Sequence, residues 1–186
     1  MRRALVIVDI QRDYFPGGAF PLAGPEKAAA AAARVLAGFR ESGQPVVHVR
    51  HVWDARDAIF LRPGTPGAEI HPVVAPQAGE PVLDKTEPNA FLGTDLSERL
   101  DALAADEVVI VGMMTSMCID STVRAAAERG HAVRVVADAC AAPDLEFRGV
   151  ALPGAQVHAA FLAALAAGFA TVTTADELIA ELTPIG

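Results

Sequence analysis

The sequence predicts a three-layer α/β/α sandwich around a doubly wound, Rossmann-like parallel sheet of about six strands. Short apolar runs alternate with longer alanine-rich segments along the whole chain. Unbroken apolar runs are typical of parallel strands covered on both faces, and strands separated by helices pair in parallel through right-handed crossovers. No repeat, linker or charge block divides the 186 residues, so we expect one domain over residues 1–186.

Six runs have the length and composition of buried strands. Most of their residues are Val, Ile, Leu or Ala, and Gly, Pro or charged residues stand at their ends. In chain order, the predicted strands are residues 4–8, 45–52, 81–85, 107–112, 132–137 and 169–173.

Five longer segments between these strands have the composition and the end residues of helices. Pro25 suits the first turn of the first helix, and Gly43 and Gly130 follow the last residues of the first and third helices. The predicted helices are residues 25–42, 95–105, 116–129, 155–167 and 175–182. Residues 54–79 are rich in Pro and Gly without periodicity, and a structureless insertion of that length usually covers a functional site.

The charge balance and the cysteine count exclude several classes of function. Fifteen Lys and Arg against 23 Asp and Glu give a formal net charge of −8, so neither nucleic acid nor a membrane is an expected partner. Two cysteines are too few for a disulfide framework. Asp9 and Asp13 interrupt the apolar run near the start, so we expect no signal peptide and a cytoplasmic protein.

Chemically active side chains are expected where parallel strands end. In open parallel sheets, functional groups gather beyond the carboxyl ends of the strands. Glycine-rich phosphate loops follow none of the predicted strands, so a nucleotide site is not expected. The residues at or just after the predicted strand ends are Asp9 and Gln11, His51 and Trp53, Lys85, residues 112–118, and Asp138.

Cys118 is either a small buried hydrophobe or a nucleophile. Thr115 and Ser116 are natural N-caps, which would place Cys118 in the first turn of a helix. Backbone N–H groups and the helix dipole at that end favour a thiolate, and a nearby Lys85 would lower the thiol pKa further. We therefore favour the nucleophile, and we expect Cys140, which lies among alanines, to be a packing residue.

Asp9 follows four apolar residues at the end of a central predicted strand. A carboxylate buried there needs a partner, which Lys85 could provide as a purely structural ion pair. The functional alternative is a general base and acid beside Cys118. The thiol at a neighbouring strand end favours this second interpretation.

Four segments resemble, in order, the motifs of the isochorismatase-like cysteine hydrolases. They are V-D-I-Q-R-D-Y-F at 8–15, G-T-P-G-A-E-I-H-P at 64–72, Lys85 with N-A-F and G-T-D-L up to 96, and G-M-M-T-S-M-C at 112–118. That superfamily also includes nicotinamidases, N-carbamoylsarcosine amidohydrolases and ureidoacrylate hydrolases. The resemblance implies a catalytic triad of Asp9, Lys85 and Cys118.

The same resemblance implies a mechanism and the geometry of an oxyanion hole. A cis peptide would join Met113 to Met114, and the N–H groups of Met114 and Cys118 would hold the oxyanion. Cys118 would attack an amide or related C–N bond of a small molecule and form a thioester, with Asp9 as general acid and base. We expect a homodimer or homotetramer, as is common in this superfamily.

An apolar pocket with a few polar groups is expected around the sulfur. Ser116 could contact the substrate or cap a helix, and we favour the cap. His158 is expected to pack or to form a hydrogen bond. The predicted substrate-binding residues are Gln11, Phe15, Trp53, Phe60, Asn89, Phe91 and Met117.

Neither a metal ion nor any other cofactor is expected. Nicotinamidases of this superfamily bind a metal through an Asp-x-His pair after the second strand and a further His, and here Arg50, His51 and Phe60 stand in those regions.

Two alternative functions stay open at this point. One is vinyl-ether hydrolysis that releases pyruvate, for which Arg50, Arg56 and Arg62 are the candidate cations, and the other is a non-catalytic binding domain.

Overall fold

Six parallel strands form the central sheet of the structure, a computed structural model in which residues 1–182 are described. The sheet order is β3-β2-β1-β4-β5-β8, and every neighbouring pair is parallel. This confirms the predicted sheet; the single domain over 1–186 stays a prediction, and its residues 183–186 lie outside the described part. The strands are β1 (Arg3–Val8), β2 (Val46–His51), β3 (Val82–Lys85), β4 (Glu107–Met113), β5 (Ala132–Ala141), β6 (Leu145–Phe147), β7 (Val150–Leu152) and β8 (Thr171–Thr173).

Helices cover both faces of the sheet, and each face has its own apolar core. Leu5 and Ile7 of β1 pack on one side, and Val6 and Val8 pack on the other, which explains why this strand is apolar without alternation. Helices α1 and α5 lie on the first side, and α2, α3 and α4 contribute to the second core. The helices are α1 (Pro25–Glu41), α2 (Leu96–Leu103), α3 (Asp120–Glu128), α4 (Gly154–Ala166) and α5 (Ala175–Glu181).

The strand order reverses at β1, which lies between β2 and β4. At such a point the crossovers leave the sheet in opposite directions and open a crevice beyond the carboxyl ends. Val8 of β1 pairs with Gly112 of β4, and a Cβ on Gly112 would lie 1.9 Å from the Val8 carbonyl oxygen. With its φ of 135°, this position therefore accepts glycine alone.

Three local features differ from the prediction. Residues 54–79 contain two single 3₁₀ turns and a bridge between Gln11 and Ile70, so the insertion is not structureless. β6 and β7 form an antiparallel hairpin in a segment predicted as loop, because each has three residues and most of these are exposed. The helix predicted from residue 116 begins at Asp120, after a π-helical turn over Thr115–Ile119.

Among residues 1–182, none of the helices combines the length and the apolarity that a membrane crossing requires.

Candidate active site

The structure brings Asp9, Lys85 and Cys118 together at the carboxyl edge of the sheet. Lys85 Nζ lies 2.7 Å from Asp9 Oδ2 and 3.3 Å from Cys118 Sγ. The three side chains come from the ends of β1 and β3 and from the π-helical turn after β4. Asp9 is fully buried, and Lys85 and Cys118 are each 2% exposed. The cluster is therefore an ion pair in contact with a thiol, in surroundings where screening by water is weak.

The backbone around Asp9 is shaped to present the carboxylate. Asp9 has a φ of 52°, in the left-handed region that non-glycine residues rarely adopt. Its N–H still donates to the Val49 carbonyl of β2, so the chain leaves the sheet immediately after this residue. Asp9 Oδ1 accepts no hydrogen bond from residues 1–182, which leaves that oxygen able to receive a proton.

Gln11 ties the end of β1 to the end of β2 and does not reach the sulfur. Its amide nitrogen donates to the carbonyls of His51 and Ala68, and its amide oxygen accepts from the His51 N–H. Because both ends of the amide are used by backbone, Gln11 is a structural residue. The prediction that it binds substrate stays a prediction, and these hydrogen bonds do not support it.

His51, which the predicted strand ends included without a role, is a fourth member of the cluster. Its Nδ1 lies 3.0 Å from Lys85 Nζ and 3.8 Å from both Asp9 Oδ2 and Cys118 Sγ. Its Nε2 lies 3.1 Å from the Thr86 carbonyl, which can only accept, so Nε2 carries the proton and Nδ1 accepts from Lys85. Burial and the Lys85 charge lower the pKa of His51, so the ring is neutral at pH 7. The sequence signal that pointed to His51 was its position near the end of a predicted strand, as for Lys85. In the structure the two residues pair across β2 and β3.

Lys85 has more hydrogen-bond acceptors around it than it has protons. An ammonium carries three N–H groups. Its four neighbours are Asp9 Oδ2, His51 Nδ1, Cys118 Sγ and the Glu87 carbonyl, the last at 2.9 Å. The sulfur is the most distant of the four. A change of charge on the sulfur can therefore redirect an N–H without any displacement of the nitrogen.

The resting state of Cys118 differs from the sequence-based expectation. Burial raises the pKa of its thiol, the Asp9 carboxylate raises it further, and Lys85 offsets only part of this effect. The expected helix cap is also wrong, because α3 begins only at Asp120 and the Thr115 hydroxyl instead lies 2.9 Å from His158 Nδ1. The sulfur is thus a thiol at rest, and a base would have to take its proton for it to act as a nucleophile.

A cavity of about 870 Å³ opens beside the sulfur. Three of the predicted substrate-binding residues, Trp53, Phe60 and Met117, are in its wall, as are Met114 and Cys118 of the expected oxyanion hole. The Met113–Met114 peptide is cis, as the resemblance implied. Other residues of the wall were not predicted from the sequence, among them Tyr14, Phe20, Leu61, Pro143, Leu145 and Phe161.

Phe15, Asn89 and Phe91 do not line this cavity, and their predicted contacts with substrate stay a prediction. Phe15 stacks on His71 at a ring distance of 4.0 Å, and Phe91 packs under the Arg129 guanidinium. The Asn89 side chain accepts a hydrogen bond from the Phe91 N–H and so stabilises its own turn. The residue types suited a pocket, but their side chains point elsewhere.

Three side chains of the cluster are of types that bind metal ions, and the Lys85 ammonium lies between them. Donor atoms of Asp9, His51 and Cys118 lie within 4.8 Å of one another. Lys85 Nζ is within 3.3 Å of a donor atom of each, and its charge would repel a divalent cation at close range. That the site needs no metal stays a prediction, and the position of Lys85 supports it.

Comparison with known proteins gives consistent results. The model of the isochorismatase domain matches residues 3–177. The uncharacterized isochorismatase family protein YddQ of Bacillus subtilis is 46% identical over 179 residues, which are 96% of this chain and 99% of that protein. A crystal structure from Oleispira antarctica, assigned to the isochorismatase hydrolases, is 51% identical with a TM-score of 0.92, and 96% of each chain is covered. The maleamate amidohydrolase of Pseudomonas putida is 36% identical over 148 residues, 72% of this chain and 69% of that enzyme.

Proposed function

The chain belongs to the isochorismatase family of hydrolases, and on that premise we propose that it cleaves an amide or related C–N bond of a small molecule. The observation that carries this proposal is the contact of one ammonium, Lys85 Nζ, with both the Asp9 carboxylate and the Cys118 sulfur. A base, a cation and a nucleophile within hydrogen-bond reach are the requirements for covalent acyl transfer. The amidohydrolase name of the similar Pseudomonas putida enzyme supports the choice of an amide.

The first half of the reaction forms a thioester. Asp9 accepts the thiol proton while the Cys118 sulfur attacks the carbonyl carbon. The resulting oxyanion is stabilised by the backbone N–H groups of Met114 and Cys118, and Lys85 compensates the negative charges of the cluster. Asp9 then donates its proton to the nitrogen, the C–N bond breaks, and ammonia or an amine leaves.

The second half of the reaction regenerates the enzyme. Asp9 accepts a proton from a water molecule, whose oxygen adds to the thioester carbonyl. The C–S bond then breaks, the carboxylic acid leaves, and the proton held by Asp9 returns to the Cys118 sulfur. One water is consumed for each amide, and the site ends in its starting protonation state.

A substrate panel tests this proposal against the vinyl-ether alternative. The purified protein is incubated with small primary amides, ureas and isochorismate, and the release of ammonia, amine and pyruvate is measured. We expect ammonia or amine, together with an acyl adduct on Cys118 in the mass spectrum of the quenched enzyme. Release of pyruvate from isochorismate without any amide hydrolysis would contradict the proposal.

The role of Asp9 as the base leads to an unusual expected result for Asp9→Asn. The Asp9 carboxylate contributes to the raised pKa of the Cys118 thiol, so removing its charge lowers that pKa. We therefore expect Asp9→Asn to be alkylated by iodoacetamide faster than the wild type at pH 7, while its turnover is lost. The measurement is the rate of Cys118 modification by mass spectrometry beside a steady-state assay.

Asp101→Asn is a matched control for that variant. It makes the same change on the exposed side of α2, and we expect neither rate to change. Slower alkylation in Asp9→Asn would show that the Asp9 charge does not hold the thiol pKa up, and undiminished turnover would show that Asp9 is not the catalytic base.

A further inference from the structure

The cavity beside Cys118 is lined mostly by apolar and aromatic side chains, and the Phe60 ring contacts three of the other aromatic rings. Phe60 stacks on Phe20 at 4.7 Å, meets Trp53 edge-on at 5.2 Å, and lies 5.9 Å from the Tyr14 ring. Phe161 completes the aromatic part of the wall. A site of this kind binds by burial of apolar surface, and its few polar groups fix the orientation of the ligand.

The charges in this wall are negative. Of the described residues that line the cavity, none is Lys or Arg, whereas Asp54 and Glu87 are exposed carboxylates of the same wall. Lys85 is buried beneath it, and its charge is compensated by Asp9 at 2.7 Å. Arg50, a candidate cation of the vinyl-ether alternative, forms a two-pronged ion pair with Asp84 at 2.7 Å.

A carboxylate on the substrate would be poorly accommodated here. An anion moved from water into an apolar cavity needs a cation or several hydrogen bonds to compensate its lost hydration. Ring faces are electron-rich, so they attract cations and repel anions. Tyr14 offers a neutral phenol, because burial and then the neighbouring Cys118 and Asp9 raise its pKa.

One buried polar atom of the wall is unused. Ser116 is 9% exposed, and its Oγ forms no hydrogen bond with the residues that the structure describes. Buried hydroxyls are nearly always hydrogen-bonded, so an unpaired one in a cavity wall indicates a ligand group. Ser116 lies two residues before Cys118 and is neutral, which suits an uncharged polar group near the scissile bond.

From these observations we propose that the substrate is an amide with an apolar, ring-sized acyl group that carries no negative charge, and that Ser116 Oγ hydrogen-bonds it. This inference rests on the proposed function and narrows it. Anionic amides and dicarboxylates are disfavoured, and neutral or cationic amides are favoured.

Turnover of three matched amides tests the charge preference. The probes are phenylacetamide and its para-carboxy and para-aminomethyl derivatives, compared by kcat/KM for ammonia release. We expect the neutral and cationic amides to exceed the anionic one by about tenfold or more. An anionic amide that is hydrolysed as fast as the other two would overturn the inference while leaving the proposed function intact.

A second measurement does not depend on hydrolysis. Two methanethiosulfonate reagents of similar size, one with an ammonium and one with a sulfonate, form a disulfide with Cys118 and release methanesulfinate. Their rates at Cys118 are divided by their rates with a free cysteine peptide. We expect the cationic reagent to be favoured by about tenfold. Equal normalised rates, or a preference for the sulfonate, would overturn the inference even if no amide were hydrolysed.

Variants separate the contributions of the wall. Asp54→Asn with Glu87→Gln should reduce the preference for the cationic reagent, whereas Glu98→Gln on the exposed side of α2 should leave it unchanged.

Ser116→Ala should lower kcat/KM for a hydrolysed amide by about tenfold. Its reaction with the methanethiosulfonates should stay at the wild-type rate, which a misfolded variant would not show. An unchanged kcat/KM in Ser116→Ala would contradict the assigned hydrogen bond.

Discussion

Replacement of Cys118 by alanine is expected to lower kcat by roughly 10⁶-fold, the order found when the nucleophile of a covalent hydrolase is removed. Cys118 is 2% exposed, its sulfur lies 3.3 Å from Lys85 Nζ, and the alanine that replaces it offers no nucleophilic atom there. Binding should persist, because the aromatic wall of the cavity is unchanged. The measurement is steady-state kinetics on an amide that the wild type hydrolyses, with a thermal melt to show that the variant folds.

Cys140→Ala is the matched control for this experiment. Cys140 is the other cysteine of the chain, is buried in β5, and lies outside the cavity wall. We expect its kcat to stay within the same order of magnitude as that of the wild type. If folded Cys118→Ala kept full turnover, the thioester mechanism would be excluded. Partial activity on isochorismate in the same variant would instead favour proton donation by Asp9 as the main contribution.

Replacement of Lys85 by methionine should have the largest effect on stability. It leaves the fully buried Asp9 carboxylate without the ammonium that now lies 2.7 Å away. Loss of one partner of a buried ion pair costs about 3–5 kcal/mol of unfolding free energy. Urea denaturation at pH 7 measures this change, and turnover should be lost as well because the cluster no longer has a cation.

A double-mutant cycle distinguishes the ion pair from a packing effect. Combining Lys85→Met with Asp9→Asn removes both charges, and we expect the double variant to regain part of the stability that Lys85→Met loses. Lys27→Met, at the exposed lysine of α1, is the control and should change stability by about 0.5 kcal/mol or less. Additive effects of the two substitutions would show that Asp9 and Lys85 are not energetically coupled.

Much of the fold could be predicted because the evidence for it is local. Strands such as β1 and β4 are covered on both faces, so they appear as unbroken apolar runs, and the helices between them fix parallel pairing. The same reasoning brought Asp9, Lys85 and Cys118 to one edge of the sheet. The β6–β7 hairpin escaped prediction because its short, exposed strands bury too little apolar surface to leave a pattern.

The properties that depended on burial could not be predicted. The raised pKa of Cys118 comes first from desolvation, which the sequence does not report. The wall of the cavity unites Phe20 with Phe161, which are distant in the chain, whereas Phe91 points away from it. Residue type alone did not reveal these directions. His51 was placed at a strand end without a role for a related reason, since its role depends on the tautomer that the Thr86 carbonyl fixes.

The surplus of acceptors around Lys85 has a consequence for how the enzyme works through its cycle. The three N–H groups match the three hydrogen bonds to His51, Glu87 and Cys118, and the Asp9 carboxylate at 2.7 Å is held as an ion pair without a hydrogen bond. As negative charge passes between oxygen and sulfur, the ammonium can follow it by rotating about its own carbon–nitrogen bond. We therefore expect charge compensation at this site to need only a rotation of the Lys85 ammonium, without a loop closure or a counter-ion from solution.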